Sequence, residues 1–199
     1  MYIVVSGNIG AGKTSLSQII SKKMGFSVYF EDFQGNLFLK NYYKDMKRWA
    51  FATQINFLAL RYEQILHHVL LSNVPAILDR SIYEDKEVFA RSLHEEGLMT
   101  DEEWAVYNKL YSLMVGHLPS PNLLIYLEKD TDELMRNIAG RGRDFEKIPR
   151  EYLESLDKRY KHFYEDWHFP KIKITNDIYI HKDELIERVK NALYFSQCD

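Results

Sequence analysis

The sequence has a single cysteine, no long run of apolar residues and no excess of basic charge. Because Cys198 has no second cysteine to pair with, an intrachain disulfide is excluded, and nothing points to an oxidising compartment. No stretch approaches the roughly 18 consecutive apolar residues of a membrane-spanning helix. The opening run MYIVV is short and Gly7 follows closely, so we expect no signal peptide and a cytoplasmic protein without a membrane partner.

Net charge and chain length indicate which partners and how many domains to expect. With a formal net charge of −3, the chain lacks the basic footprint of proteins that bind polymeric DNA or RNA, so no nucleic-acid polymer is expected as a partner. A small anionic ligand at a local basic cluster remains compatible with this charge. The 199 residues, 46% of them hydrophobic, suffice for one substantial core, and we expect a single domain over 1–199.

Short apolar runs alternate with helical patterns along the chain. The apolar runs predict buried strands at 2–6, 27–30, 76–79, 123–127 and 171–175. Apolar spacing and end signals predict helices at 14–24, 36–47, about 49–71, 84–96, about 101–117, 130–140, 149–164 and 182–195. This order indicates an α/β fold with a five-stranded, mostly parallel sheet flanked by helices. In such folds ligands bind beyond the carboxyl ends of the strands, where 7–14, 31–32 and 79–85 fall.

Residues 7–14 read GNIGAGKT and match the phosphate-loop pattern G-x-x-x-x-G-K-[ST] between a predicted strand and a predicted helix. Glycine lets the backbone wrap closely around an anion, and N–H groups of the loop and helix N-terminus point at phosphate oxygens. We expect Lys13 to reach the β- and γ-phosphates of ATP and the Thr14 hydroxyl to hold Mg²⁺. The predicted ATP-binding residues of this loop are Gly7, Asn8, Ile9, Gly10, Ala11, Gly12, Lys13 and Thr14.

Acidic residues and an arginine follow the second and third predicted strands. Glu31 lies nearer its strand than Asp32, and we predict it as the base that accepts the proton of a substrate hydroxyl. After the third strand, Asp79 is predicted to bind Mg²⁺ directly or through water, and Arg80 to stabilise charge on the transferring group. The structural alternatives are an exposed acidic turn and a helix-cap acid beside a surface arginine.

A basic stretch interrupts the helical pattern near residue 140. Arg141 and Arg143 are two residues apart and do not share a helix face, so a loop is needed to bring them together. We expect an Arg-rich lid at about 137–148 that closes over ATP. A solvated basic turn is the alternative.

Together these motifs resemble the deoxynucleoside kinases related to deoxycytidine and deoxyguanosine kinase, and most of all the bacterial deoxyadenosine/deoxyguanosine kinases. The resemblance covers about 1–165. It rests on the order and spacing of GNIGAGKT, Glu31, WAFATQINFLALR at 49–61, DRSIYED at 79–85 and RGRDFE at 141–146. It implies a P-loop kinase fold.

The resemblance implies roles at the sugar and phosphate end of the site. Glu31 matches the base that takes the proton of the sugar 5′-hydroxyl, and Arg80 matches the arginine near the 5′-oxygen. Tyr43 and Glu146 match the groups that hold the 3′-hydroxyl. The two arginines of the predicted lid match the lid arginines of the family.

Other positions match the groups that read the base. Gln54 matches the side chain that hydrogen-bonds the base edge, and Arg61 and Asp85 match the pair that helps set base preference. Gln54 and Arg61 are seven residues apart on a mostly apolar helix face, where a buried polar group needs a partner; an exposed strip of a long helix is the alternative. Phe89 follows Asp85 by four and is predicted to contact the substrate. Thr53 stands where some members carry an aromatic residue, and a smaller residue there favours a purine.

The sequence therefore predicts a homodimeric, Mg·ATP-dependent deoxynucleoside kinase, with deoxyadenosine as the favoured substrate and deoxyguanosine or deoxycytidine as alternatives. The dimer is predicted from wide apolar stripes at about 49–71 and 101–117, which the family pairs into a four-helix interface. A nucleoside monophosphate kinase of the thymidylate kinase type is the rival enzyme, but it needs more cationic side chains around its acceptor. A P-loop switch or binding protein is the rival of another class, although the guanine-reading N-K-x-D motif is absent.

Overall fold

The computed structural model describes residues 1–140, 148–175 and 182–195. Its centre is a sheet of five strands: β1 (Tyr2–Gly7), β2 (Ser27–Tyr29), β3 (Ala76–Asp79), β4 (Leu123–Leu127) and β5 (Lys171–Ile174). The spatial order is β2-β3-β1-β4-β5, and every neighbouring pair is parallel. The predicted α/β fold with a five-stranded parallel sheet is confirmed.

The three inner strands, β1, β3 and β4, are buried along their whole length. Val4 and Leu124 belong to the apolar cluster on one face of the sheet, whereas Ile3 and Ile125 belong to the cluster on the other face. A parallel sheet with helices on both faces requires apolar side chains on both sides of each strand. This explains why the strand sequences are continuous apolar runs rather than alternating ones.

Nine α-helices lie in the described part of the chain. They are α1 (Lys13–Met24), α2 (Leu39–Tyr42), α3 (Met46–Ile65), α4 (Ile82–Glu84), α5 (Arg91–Glu95), α6 (Asp101–Val115), α7 (Thr131–Gly140), α8 (Arg150–Glu165) and α9 (Lys182–Phe195). Two π-helical segments extend them: Leu66–Leu70 continues α3, and Asp85–Ala90 joins α4 to α5. Segments of this kind are often found at functional sites.

The helix predicted over 36–47 is wrong in its extent, since only Leu39–Tyr42 within it is helical before α3 begins. Asn36 accepts a hydrogen bond from the backbone N–H of Phe38 and donates one to the Thr53 carbonyl, at 3.1 and 3.0 Å. Such side-chain bonds to the backbone compete with helix formation. Asp45 then caps α3 by accepting from the Arg48 N–H at 3.0 Å.

The helix predicted to open at Thr100 is confirmed as α6. The Thr100 hydroxyl accepts from the Glu103 N–H at 3.2 Å, and the Glu103 carboxylate accepts from the Thr100 N–H at 2.9 Å. The reciprocal pair satisfies two backbone donors at the helix start, as the capping-box sequence predicts.

The parallel sheet brings three separate polar segments to one edge. The loop after β1, Glu31 after β2, and Asp79-Arg80 after β3 all lie at the carboxyl ends of neighbouring strands. The fold therefore places the predicted phosphate loop, base and metal ligand beside one another. None of the helices in the described ranges is long and apolar enough to cross a membrane.

Candidate active site

The phosphate loop is closed around the side chain of its own lysine. Lys13 Nζ donates to the carbonyl oxygens of Gly7 and Asn8, both at 2.9 Å. Burial is the main cause that lowers the pKa of Lys13, to about 8; the charge of Arg80 acts in the same direction and nearby carboxylates oppose it. The negative charge of an arriving phosphate would favour the ammonium form further.

Side chains and a backbone contact hold the loop in place from outside. Asn8 donates from its amide to the Leu153 carbonyl at 2.9 Å, which links the loop to α8. Asn137 donates to the Gly10 carbonyl at 2.8 Å, which links it to α7. Gly10 has a φ of 88°, and a Cβ added there would lie 2.8 Å from the backbone oxygen of Leu134. The loop shape is therefore set by several independent contacts.

Thr14 and Asp79 meet as the sequence predicts for a metal site. The Thr14 hydroxyl donates to Asp79 Oδ2 at 2.6 Å, while the buried Asp79 Oδ1 has no hydrogen-bond partner within the described ranges of the chain. A hydroxyl and a carboxylate beside a phosphate cradle suit Mg²⁺, which keeps several waters and takes its other ligands from substrate phosphates. In the described residues, no cluster of three or more His, Cys, Asp or Glu side chains is placed to hold a metal by itself.

Glu31 lies between two buried arginines. Arg80 Nε donates to Glu31 Oε2 at 2.9 Å, and Arg61 Nη2 is 3.4 Å from Glu31 Oε1. Burial alone would raise the pKa of Glu31, but the charges of Arg80, Arg61 and Lys13 outweigh it and lower the pKa to about 2. Glu31 is thus a carboxylate throughout the physiological pH range.

Arg61 ties α3 to the segment after β3. Its Nε donates to Asp85 Oδ2 at 3.1 Å, and its Nη1 is 3.2 Å from the Asp79 carbonyl oxygen and 3.3 Å from Gln64 Oε1. Gln64 in turn donates to the Phe30 carbonyl at 2.9 Å. Burial raises the pKa of Asp85 to about 6, although Arg61 favours its ionised form.

Arg80 is held by a second set of partners. Its Nη1 donates to Glu84 Oε1 and to the Tyr160 hydroxyl, both at 2.6 Å, and the ring of Phe89 lies 4.8 Å from its guanidinium carbon. Neither Glu84 nor Tyr160 is predicted from the sequence as a site residue. Glu84 follows Arg80 by four residues, a spacing that allows contact where the chain turns into a helix, whereas Tyr160 has no local signal because it is 80 residues away.

One cavity collects most of the residues predicted to bind the substrate. Glu31, Tyr43, Gln54, Arg80, Asp85 and Phe89 line it, together with Ile9, Phe33, Leu39, Tyr42, Thr53, Phe57 and Tyr152. Gln54 is 5% exposed, and its Oε1 has no hydrogen-bond partner among the residues that the structure describes. Water or a bound molecule can supply the donor that this buried acceptor needs.

A second, polar cleft adjoins this cavity. Gly12, Lys13, Thr14, Ser15, Phe30, Glu31, Phe33, Asp79 and Arg80 line it. Glu31 and Arg80 belong to both linings, so they stand where the two spaces meet. The arrangement can hold a phosphate chain on one side and a polar, planar acceptor molecule on the other, with a carboxylate and an arginine between them.

Three predicted site residues, Arg141, Arg143 and Glu146, lie outside the described residues, as does most of the predicted lid. Of the other predicted residues, Arg61 is not among those lining the cavity. It is 4% exposed and touches two cavity residues, Glu31 and Asp85, so its contact with a ligand in this arrangement is through its partners.

Comparisons with known proteins point to one enzyme family. A family model described as deoxynucleoside kinase matches residues 3–195. The chain is 34% identical over 192 residues to the deoxyadenosine kinase of Dictyostelium discoideum, covering 95% of this chain and 78% of that protein. It is 35% identical over 164 residues to the deoxyadenosine/deoxycytidine kinase of Bacillus subtilis, covering 81% of this chain and 75% of that protein.

Solved structures similar to this chain also include a deoxyadenosine kinase. The structure of deoxyadenosine kinase from M. mycoides with bound dCTP matches with a TM-score of 0.82 and 31% identity, over 98% of this chain and 99% of that chain. A structure of the same kinase with the products dCMP and dCDP matches with a TM-score of 0.86 and 30% identity, over 96% of this chain and all of that chain (100%).

The ion pairs of Glu31 predict a pH-dependent contribution to stability. A carboxylate whose pKa falls on folding stabilises the native state above its ordinary pKa, and this contribution is lost as the pH falls toward the folded value. We expect Glu31→Gln to lower the free energy of unfolding at pH 7 by roughly 2 kcal/mol. The difference from the unmodified protein should shrink as the pH falls from about 4.5 toward 2.

Urea unfolding at several pH values measures this difference. Glu102→Gln, at an exposed position of α6, is the matched control and should change the unfolding free energy little at any pH. A Glu31→Gln difference that stays constant between pH 7 and pH 3 would contradict the low pKa.

Proposed function

The chain belongs to the deoxynucleoside kinase family, and from that premise we propose that it transfers the γ-phosphoryl group of ATP, with Mg²⁺, to the 5′-hydroxyl of a deoxynucleoside. The protein is thus an enzyme, and the proposal concerns its donor, metal and acceptor. The observation that carries it is the position of Glu31 and Arg80, which line both the cavity and the phosphate cleft. A group transferred between the two spaces must pass these two side chains.

The phosphate side supplies positioning and charge. The loop from Gly7 to Thr14 would hold the β- and γ-phosphates, with Lys13 placed on their oxygens. Thr14 and Asp79 would hold Mg²⁺, which supplies positive charge to the phosphate oxygens when bound. We assign Arg141 and Arg143 of the predicted lid to the same task, on the strength of the sequence pattern.

In the cavity that would hold the deoxynucleoside, Glu31 supplies a proton acceptor. As the 5′-oxygen forms its bond to the γ-phosphorus, the bond from that phosphorus to the β–γ bridging oxygen breaks, and ADP leaves. The proton of the 5′-hydroxyl passes to Glu31. A carboxylate with a low pKa suits this role because the transition state is loose and the hydroxyl becomes strongly acidic only as the new bond forms.

The floor of the cavity carries the groups that would read the base. Gln54 Oε1 lacks a donor, which an exocyclic amine of adenine or cytosine would supply. Arg61 holds Asp85 at the cavity wall. Thr53 also lines the cavity, and its side chain is smaller than the aromatic residue of some family members, which favours a purine. Relatives named deoxyadenosine kinase and deoxyadenosine/deoxycytidine kinase support deoxyadenosine as the favoured substrate, with deoxycytidine or deoxyguanosine as alternatives.

The rival acceptor is a nucleoside monophosphate. Its phosphate would have to lie beside the Glu31 carboxylate, and Arg61 and Arg80 already have carboxylate partners. Repulsion between the two anions argues against this acceptor.

The first experiment compares acceptors in the presence of ATP and Mg²⁺. We expect kcat/KM for deoxyadenosine to exceed that for its 5′-monophosphate by roughly 100-fold or more, because like charges would meet at Glu31. Coupled measurement of ADP release with the four deoxynucleosides and their monophosphates gives both ratios. Faster turnover of a monophosphate would favour the rival kinase, and ADP release that no nucleoside stimulates would favour a P-loop binding protein.

The second experiment tests the base. Glu31→Gln keeps the size and hydrogen-bonding capacity of the side chain but removes its affinity for a proton, so kcat should fall about 100-fold or more. KM for the deoxynucleoside should change less than about threefold, since the amide can still contact the 5′-hydroxyl. Asp32→Asn, at the exposed neighbouring residue, is the control and should keep its kcat. An unchanged kcat in Glu31→Gln would rule out the assignment.

We also propose a homodimer formed through α3 and α6. Val106 and Leu113 are 49% and 59% exposed and lie seven residues apart on α6, and Leu70 at the end of the extension of α3 is 49% exposed. Exposed apolar side chains on α6 and at the end of the extension of α3 suit a four-helix interface with a second copy.

Sedimentation tests the dimer. The unmodified protein should sediment at twice the chain mass of 23.7 kDa. Leu113→Asp should shift the equilibrium toward the single chain because it places a charge in an apolar contact. Asn191→Asp, an exposed position of α9 with the same change in charge, should not. A single-chain mass for the unmodified protein at micromolar concentration would contradict the proposal.

A further inference from the structure

Arg80 is held in an uncommon backbone conformation immediately after β3. Its φ is 79°, in the left-handed region that residues with a Cβ rarely adopt. Its backbone N–H donates to the Val5 carbonyl at 3.0 Å, which continues the pattern of the sheet. A conformation of this kind persists only where surrounding contacts fix it, and it is often found where a side chain must be aimed.

The guanidinium group of Arg80 divides its donors between two carboxylates. Nε bonds Glu31 at 2.9 Å, and Nη1 bonds both Glu84 and Tyr160 at 2.6 Å. Nη2 makes no hydrogen bond to any residue that the structure describes. Since Arg80 lines the phosphate cleft as well as the cavity, Nη2 is the donor left for a ligand.

Glu84 and Tyr160 form a closed triangle with Arg80 Nη1. The Tyr160 hydroxyl donates to Glu84 Oε1 at 2.5 Å, and both side chains are completely buried. Burial and the charge of Glu84 raise the pKa of Tyr160 against the opposing charge of Arg80, so the hydroxyl keeps its proton and remains a donor to Glu84. Glu84 comes from α4, four residues after Arg80, whereas Tyr160 comes from α8.

The two carboxylates on Arg80 differ in access. The Glu31 side chain is 28% exposed, whereas that of Glu84 is fully buried. In the proposed reaction Glu31 must turn toward the 5′-hydroxyl and accept a proton. A buried guanidinium that then lost its only carboxylate would be left uncompensated and would tend to follow Glu31. Glu84 prevents this because it remains bonded to Arg80 and compensates its charge while Glu31 contacts the substrate.

We propose that Glu84 and Tyr160 are positioning residues that anchor Arg80, so that Glu31 can act on the acceptor and Nη2 can act on the transferring phosphoryl group. The proposal rests on the proposed reaction and adds two residues to it. Neither side chain lines the cavity or the phosphate cleft, and both act through Arg80.

Two conservative variants test the anchor. Tyr160→Phe removes two hydrogen bonds, the one accepted from Arg80 and the one donated to Glu84, and keeps the ring. Glu84→Gln removes the charge and keeps an acceptor oxygen. We expect each to lower kcat roughly 10-fold or more, because a donor to the transition state is misplaced. KM for the deoxynucleoside should change less than about threefold, since neither residue lines the nucleoside cavity.

A double-mutant cycle separates anchoring from a general structural role. Arg80→Lys keeps the positive charge but cannot bond several partners through a fork. In that background Tyr160→Phe should change kcat by less than about twofold. Tyr160→Phe should nevertheless lower the melting temperature both with and without the Arg80→Lys substitution. Tyr2→Phe is the matched control: its hydroxyl donates to the Pro119 carbonyl at 2.8 Å, at the opposite edge of the sheet, and its loss should leave kcat unchanged.

Full kcat in folded Tyr160→Phe overturns the proposal. So does a loss of kcat on Tyr160→Phe that is equally large with and without the Arg80→Lys substitution. If Glu84→Gln does not fold, Tyr160→Phe decides the matter. Absence of turnover with every deoxynucleoside in the unmodified protein would count against the proposed reaction instead, before the variants are compared.

Discussion

Mutual compensation of buried charges governs this molecule's active centre. Arg61 and Arg80 are each about 4% exposed, and neither would be tolerated at that depth without carboxylates in contact. Glu31 bonds both arginines, Asp85 bonds the first and Glu84 the second. Because these residues come from α3 and from the segments after β2 and β3, the same ion pairs that neutralise the charges also fix how those segments meet.

The network would also let one carboxylate serve both the fold and the proposed reaction. Glu31 contributes to the native state through its arginines, yet it is the most accessible of the carboxylates that bond them. Asp85 and Glu84 stay buried and retain their arginines. The proposed chemistry therefore uses the one member of the network that can leave its partners without leaving a buried guanidinium unpaired.

Much of the fold and of the phosphate side follows from local sequence. Each strand is a short apolar run, and the glycines, Lys13 and Thr14 of the loop lie within eight consecutive residues. Strand ends then predict that Glu31 and Asp79 are neighbours of the loop, and the structure places them there. Short sequence segments are sufficient to predict these neighbours because the carboxyl ends of parallel strands lie together at one edge of the sheet.

The remaining features depend on contacts between distant residues. Tyr160 reaches Arg80 across 80 positions, and nothing near either residue in the chain signals the pairing. The helix predicted over 36–47 fails in its extent partly because the Asn36 amide bonds the carbonyl of Thr53, on a helix that begins ten residues later. The left-handed backbone at Arg80 likewise comes from packing and not from residue preference, since arginine has none for that region.

The phosphate loop has a consequence for how nucleotides are exchanged. The Lys13 ammonium bonds two carbonyls of the loop, and Asn8 and Asn137 anchor it to flanking helices. Because contacts among the protein's own residues hold the loop in shape, little conformational entropy is lost when an anion binds. If the loop binds nucleotides as proposed, they can enter and leave without refolding it, so the rate of turnover would not depend on folding and unfolding of this loop.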